Sequence, residues 1–373
     1  MKLNSQNNFK EAQLGPNFAK DKLKDFKTLI DRSISFVVMA MPGVGASYFL
    51  RYLATKDFEY FVHVDLYSLP SLTQHEFFKL LLEELGGKPA KKSDQELLQE
   101  AKVALKNLSK QEKKTVLIFN RFDQLKKEFT QEFLSKIQSL TSIDPDKIVL
   151  IFTATKPLYE IAPSAMSGGN LNFYSENLYF KPYSISDLRE ILKIDPGRLT
   201  TKENLERLLI LCGGHNQLLH IFLSSQKETL LLDQFVKMQL KELVDYLNYA
   251  QKKQVQKIAL GRKLEEVDEY LLGVGMVQCP KSNQCQLFTP LLEQYIKNNL
   301  PVKLPPKEAK VFKLLRNNLG RVVSKDEIFE EADLPSDWAL DALIYRLRKH
   351  PFITSHGYII ESHKKVGYLL IQT

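Results

Sequence analysis

Four short β-rich runs, each closed by a turn and followed by a helical pattern, constrain this chain more than any other feature. They are Ser35–Ala40, Tyr60–Leu66, Thr115–Phe119 and Lys147–Thr153, with helix-patterned segments near 46–55, 73–86, 93–110 and 127–140 between and after them. Runs this apolar must be covered on both faces. Their alternation with helices therefore predicts a parallel sheet in an α/β arrangement.

Length and composition narrow the choice further. A chain of 373 residues predicts two to four domains. With 44% apolar and 26% charged residues, wholesale disorder is excluded. No apolar run approaches the ~18 residues of a membrane span, so no membrane partner is expected. The opening MKLNSQNNFKEAQ carries no apolar segment of the kind a signal peptide needs. Three cysteines cannot build a disulfide framework, and a reducing cytoplasm is the expected compartment. The formal charge of +8, from 52 Lys+Arg against 44 Asp+Glu, suits a lysine-rich solvated surface or a polyanionic partner. Its placement has to decide between them.

Beyond about residue 175 strands give way to helices. Ser184–Leu192 reads as a short helix opened by Ser186, followed by helices at 202–211 and 216–232 with a break at Gly213-Gly214. Helices, a run from Gly273 to Cys279, the polar turn from Pro280 and a second run Gln284–Phe288 suggest a small winged helix. Cys279 and Cys285 flank that turn without further ligands nearby, so they read as ordinary hairpin residues, not a metal site. Pro301, Pro305 and Pro306 mark a linker. A compact unit follows it: helix 306–317, a stop at Gly320, a helix opened by Ser324, helix 336–349 and a hairpin over 352–372. The expected domains are 1–175, 176–232, 233–300 and 301–373.

The turn after the first run reads Ala40-Met-Pro-Gly-Val-Gly-Ala-Ser47, in the strand–turn–helix context of a phosphate-binding loop. Gly43 and Gly45 would bring backbone N–H groups to an anion at a helix N-terminus, and Ser47 could reach a magnesium ion. ATP or ADP with magnesium is the cofactor such a loop would take; nothing in the sequence makes one certain. Where the G-x-x-x-x-G-K-[ST] pattern has its first glycine and its lysine, this chain has Ala40 and Ala46. The third run ends Phe119-Asn120-Arg121-Phe122-Asp123, where a magnesium-positioning acid and a water-orienting acid would be expected. Asn120 is neutral, Arg121 has the opposite sign, and Asp123 reads as a cap or turn residue. The charges that phosphoryl transfer needs are missing at both places.

In order, these segments resemble the STAND/AAA+ ATPases, including relatives of origin-recognition initiators. The loop at 40–47, Val62–Leu66, Leu117–Asp123, Leu150–Thr155 and Cys212–Leu219 correspond to successive family motifs over about residues 9–232. Asn216 stands in the place of the proline in the lid segment. The resemblance implies a P-loop NTPase core with a helical lid and a nucleotide-driven switch between them. The departures at 40, 46, 120, 121 and 216 imply a degenerate ATPase with no catalytic residues, and leave nucleotide binding open. The family often places a winged helix straight after the lid, and 233–300 is similar to it.

Residues 301–373 resemble the OmpR/PhoB-type winged-helix effector domain through Leu304–Leu315, Asn318–Ile328, Leu340–Arg348 and Val366–Leu369. The family's usual N-terminal sheet is missing; the hairpin at 275–288 is a conjectural stand-in. In helix 336–349, Leu340, Leu343, Ile344 and Leu347 follow helical spacing and should face a core. That turns Trp338, Ala342, Tyr345, Arg346 and Lys349 outward as candidate DNA contacts in a major groove, with Ser362, Lys364 and Lys365 at the hairpin tip beside them. Arg321 and Lys325 are further candidates for backbone phosphate. From 337 onward there are five Lys/Arg against three Asp/Glu, a weakly favourable balance. The expected function is a transcriptional regulator bound to double-stranded DNA, with the core as scaffold or sensor and homo-oligomers as one option. An active ATP-dependent switch and a protein-binding adaptor are the alternatives.

Overall fold

The computed structural model describes residues 9–89, 91–195, 202–225, 229–281, 284–299, 304–350, 353, 358–363 and 366–372. Two compact units emerge: one runs up to Lys252 and takes in Glu265–Thr289, and the other joins Lys253–Leu264 to the chain from Pro290 onward.

The first unit opens with α1 (Lys20–Asp31), β1 (Phe36–Ala40), α2 (Ala46–Ala54) and β2 (Tyr60–Asp65). Then come α3 (Gln74–Glu84), α4 (Asp94–Leu108), β3 (Thr115–Asn120), α5 (Gln131–Gln138) and β4 (Ile148–Ala154). The short helices α6 (Leu158–Ile161) and α7 (Asn170–Phe173) lead into β5 (Asn177–Phe180). The five strands are parallel, in the order β2-β3-β4-β1-β5. β1, β3 and β4 are buried at every position, as their continuous apolar character demands. On one face Phe77, Phe119, Phe122, Phe133 and Phe152 form a ring cluster with centroids 4.8–6.3 Å apart. Edge-to-face and offset rings add stabilisation beyond their buried area.

β5 was not expected from the sequence. Its residues Asn177, Leu178 and Tyr179 are only half-buried, so this strand lacks the apolar continuity that marked the other four. It nevertheless pairs with β1 and completes the sheet on that side.

Helices continue with α8 (Ile185–Ile194), α9 (Lys202–Leu211), α10 (Asn216–Ser224), α11 (Gln234–Asp245), α12 (Tyr249–Ala259) and α13 (Glu269–Gly273). The cap of α8 is Ser184, not Ser186: Ser184 Oγ accepts from Asp187 N while Asp187 reaches back to Ser184 N. The helix expected over 216–232 stops at Ser224, and Asp233 caps a separate α11 through its bonds from Phe235 and Val236. The hairpin β6 (Val277–Lys281) and β7 (Gln284–Leu287) pairs Gln278 with Gln286, which sets Cys279 opposite Cys285. The two are joined in a disulfide and are not ordinary hairpin residues. Opposite positions in an antiparallel pair bring Cβ atoms within bridging reach.

The second unit holds α14 (Pro290–Asn299), α15 (Pro306–Asn317), β8 (Val322–Ser324), α16 (Lys325–Ala332), α17 (Asp337–Lys349), β9 (Tyr358–His363) and β10 (Gly367–Gln372). The strands form an antiparallel sheet in the order β8-β10-β9. Val311, Leu315, Ile328, Leu340, Leu343, Ile344, Leu347 and Leu370 are among its fully buried core. The four α17 residues in that core are those the helical spacing predicts. Ser324 caps α16 in a capping box with Glu327, and Ser336 caps α17 through Ala339 N. Gly367 is fixed by space: a Cβ there would meet Val323 O at 1.8 Å. The β6–β7 hairpin is a two-stranded sheet of its own and belongs to the first unit.

Candidate functional site

The phosphate-loop region is built by β1 and α2. β1 delivers the chain to Met41, whose carbonyl accepts from Val44 N at 3.2 Å. Gly43 (φ 75°) and Gly45 (φ 107°) turn the backbone into α2 through left-handed geometry that a β-carbon resists. The first turn of α2 then presents unpaired N–H groups, an anion cradle in shape. A cavity of about 460 Å³ lies against it, walled by the 40–48 segment, Arg51, Arg121, Thr153–Thr155 and Glu242.

Residues ahead of α8, at the start of α10 and on α11 bond the carbonyls of this loop. Pro42 O meets His215 Nε2 at 2.8 Å and the Gln239 amide at 3.5 Å. Gly43 O accepts from Gln217 N, Val44 O from Asn216 N and Gly45 O from the Tyr183 hydroxyl, at 3.0, 3.4 and 2.9 Å. Four consecutive carbonyls are thus taken up by hydrogen bonds from Tyr183, His215, Asn216, Gln217 and Gln239. His215 also accepts from Leu218 N at Nδ1. Only the neutral tautomer protonated on Nε2 satisfies both bonds. Burial pulls its pKa down to about 4, which keeps it in that form.

At the cavity floor Ser47 Oγ donates to Asn120 Oδ1 at 2.9 Å, and the Thr153 hydroxyl donates to the same oxygen at 3.3 Å. Thr153 Oγ1 accepts in turn from Arg121 N at 2.5 Å. Asn120 is fully buried, yet its Nδ2 has no partner. Asp123 Oδ2 accepts from both Thr155 N and Thr155 Oγ1 at 2.8 Å, so its side chain ties the end of β3 to the end of β4 and caps no helix of its own. Arg121 sits at φ 62°, its guanidinium 4.6 Å from the Tyr67 ring centroid and its Nε 3.9 Å from Asp65. Arg51 is occupied by a near-buried carboxylate, Glu11, at 2.8 Å.

In the second unit, Trp338 and Tyr345 are 81% and 57% exposed and lie on one side of α17 with Lys349. Lys349 Nζ stands 4.4 Å from the Tyr345 ring centroid. Ala342 is half-buried between them. Arg346 is exposed but not free: its Nε bonds Glu308 Oε1 on α15 at 2.5 Å, a carboxylate nearly excluded from water. Ser362 accepts from Arg348 Nη2 at 2.7 Å, and Arg348 Nε also donates to Ile360 O, so this arginine fastens β9 to α17. Helical spacing could not reveal that tie, because it runs to a strand. Lys364 and Lys365 lie outside the described residues. Arg321 and Lys325 are paired with Glu327 and Asp337 at 2.8 and 3.0 Å.

Among the described residues no group of His, Cys, Asp and Glu is arranged to hold a metal ion, and no helix is long and apolar enough to cross a membrane.

The class these features define is a fold: a parallel AAA+-like P-loop sheet in one unit and a winged helix in the other. Residues 31–161 match the family model for an AAA domain, and residues 299–370 that for the C-terminal domain of transcriptional regulatory proteins. No curated protein matches the sequence. Among solved structures, the chain is similar to the Aeropyrum pernix ORC1 protein in complex with DNA, at 14% identity and TM-score 0.40, over 95% of this chain and 88% of that one. A Walker-type ATPase of Pyrococcus abyssi gives 14% identity and TM-score 0.45 over 74% and 95%. Cdc6p from Pyrobaculum aerophilum gives 11% and 0.40 over 95% and 92%.

Proposed function

We propose that the protein regulates transcription by docking α17 in a DNA major groove, with the β9–β10 wing against the neighbouring backbone, and that its P-loop core does not hydrolyse ATP. The observation that carries the DNA half is the solvent-facing side of α17, where Trp338, Tyr345 and Lys349 stand next to the wing that Arg348 ties down. Arg346, Lys364 and Lys365 complete the proposed contact set with Ala342 and Ser362. The missing charges at Ala46 and Asn120 support a core that serves as scaffold or sensor, alone or as a homo-oligomer. The proposed layout is a core over 1–175, a lid over 176–232, an internal winged helix over 233–300 and the DNA-binding domain from 301. The succession α11, α12, α13 and the β6–β7 hairpin supports the third of these. A duplex-DNA partner is what supports a cytoplasmic location.

The test is anisotropy of a labelled duplex at rising salt. Affinity should fall steeply with ionic strength, and Trp338→Ala with Lys349→Ala should weaken binding by about tenfold. Binding indifferent to salt and to both substitutions would reject the DNA half. Steady ATP turnover, with or without DNA, would reject the other.

A further inference from the structure

The Cys279–Cys285 disulfide is open to solvent. Cys279 is exposed and Cys285 is only half-buried. Cys279 also lines a cavity of about 480 Å³, walled in addition by Lys181, Pro182 and Tyr183, so an incoming thiol has room to reach it. Exposed disulfides are the ones that undergo exchange, because attack needs access to a sulfur.

The hairpin around the bond is held unevenly. At its inner end Val277 pairs with Leu287, Phe288 N donates to Met276 O at 3.0 Å, and the Thr289 hydroxyl donates to Leu211 O at 2.5 Å. Phe288 is packed so closely that a Cβ on Gly213 would meet its carbonyl oxygen at 2.2 Å. Past the Gln278–Gln286 pair the register shifts, with one residue more on β6 than on β7 before Lys281 pairs with Gln284. Pro280, next to Cys279, has no N–H to give to the ladder. The bond sits at this step. It fastens an outer end that backbone pairing holds weakly, while the inner end has ties of its own.

The third cysteine takes no part in exchange. Cys212 is fully buried, its Sγ donates to Leu209 O at 3.2 Å, and burial pushes its thiol up to about 11. Exchange is therefore confined to the pair.

We propose that Cys279 and Cys285 are a reversible redox site, opened and closed by exchange with a dithiol, that switches the β6–β7 hairpin between a fastened and a loosened outer end. A thiolate of the dithiol attacks Cys279 Sγ, the more exposed sulfur. A mixed disulfide forms and the Cys285 thiolate is expelled and takes up a proton. The second thiolate of the reductant then attacks its own sulfur in the mixed disulfide. Cys279 leaves as a thiolate and is protonated, and the reductant departs as a cyclic disulfide. Two electrons and two protons pass from the dithiol to the protein, and the oxidised dithiol reverses each step. The site is independent of what the P-loop or α17 binds.

The experiment equilibrates the full chain, without denaturant, in mixtures of reduced and oxidised dithiothreitol. Thiols are then trapped with iodoacetamide and located by mass spectrometry. Cys279 and Cys285 should become alkylated together in one two-electron transition and return to the disulfide on reoxidation, with Cys212 unlabelled throughout. Hydrogen exchange of β6 and β7 should speed up by about tenfold or more on reduction, while α9 and α10 change by less than about twofold. The double variant Cys279→Ser with Cys285→Ser should show the fast exchange without reductant and no response to dithiothreitol. A bond that fails to form in the oxidised protein or opens only in denaturant would overturn the proposal. So would labelling of Cys212 alongside the pair, or hairpin exchange that is the same in both redox states.

Discussion

The P-loop and the α17 face differ in opposite ways in where shape and charge reside. The P-loop has two left-handed glycines and a helix N-terminus, but carries the non-ionic residues Ala46 and Asn120. The α17 face carries ionic groups, yet Arg346 is tied to Glu308 and Arg348 to β9. Backbone shape is held by many cooperating bonds and survives single substitutions. A charge sits on one side chain, which either substitution or a neighbouring partner can take out of use.

Four perturbations sharpen or break this contrast, from the largest expected effect down. Gly45→Val forces a β-branched residue into φ 107° and sets a β-carbon 2.6 Å from the Tyr183 ring and 2.9 Å from Asn216 Cβ. The loss should be about 3 kcal/mol or more in chemical denaturation of the first unit. Gly320→Ala, at φ 79° with open space around its Cβ, should cost only about 1 kcal/mol in the second. An equal effect of the two would mean that the lid does not hold the loop.

Arg346→Ala leaves Glu308 buried with Oε1 unpaired and Oε2 already without a partner. Stability of the second unit should drop by about 2 kcal/mol. Adding Glu308→Leu should recover most of it. Loss of DNA affinity in the double variant, with folding restored, would show that Arg346 has a second task.

Acidification acts on the first unit. Burial pulls both His63 and His215 down to about 4, below their ordinary 6.5. Between those values the unfolded chain binds protons that the folded one does not, so stability is full above pH 6.5 and declines as pH falls toward 4. From pH 7 to 5 the loss should be on the order of 1–2 kcal/mol per histidine. His215→Gln should flatten part of that slope; an unchanged slope would place the titration elsewhere.

The smallest effect on stability belongs to Trp338→Ala. An exposed side chain should change unfolding by less than about 0.5 kcal/mol. If the melting temperature moves by more than a few degrees, Trp338 is a packing residue and not a contact for DNA.

Much of this was legible along the chain because it depends on local periodicity. Four of the five strands of the large sheet, the core-facing Leu340, Leu343, Ile344 and Leu347, and the glycine turn at 43 and 45 all follow from patterns spanning a few residues. Family motifs in 31–161 and 299–370 are likewise contiguous. β5 escaped because an edge strand of four residues, three of them half-buried, has no apolar continuity. The Cys279–Cys285 bond escaped because only strand register sets those positions opposite each other.

The sequence by itself determined the two fold types and the absence of a lysine at 46 and a carboxylate at 120, since residue identity and short-range pattern are written in it directly. Which charges remain available was decided by tertiary structure alone. The partners of Arg346, Arg51 and Ser47 come from residues 38, 40 and 73 positions away. Pairings over such separations depend on how helices and strands pack, and no local pattern encodes them.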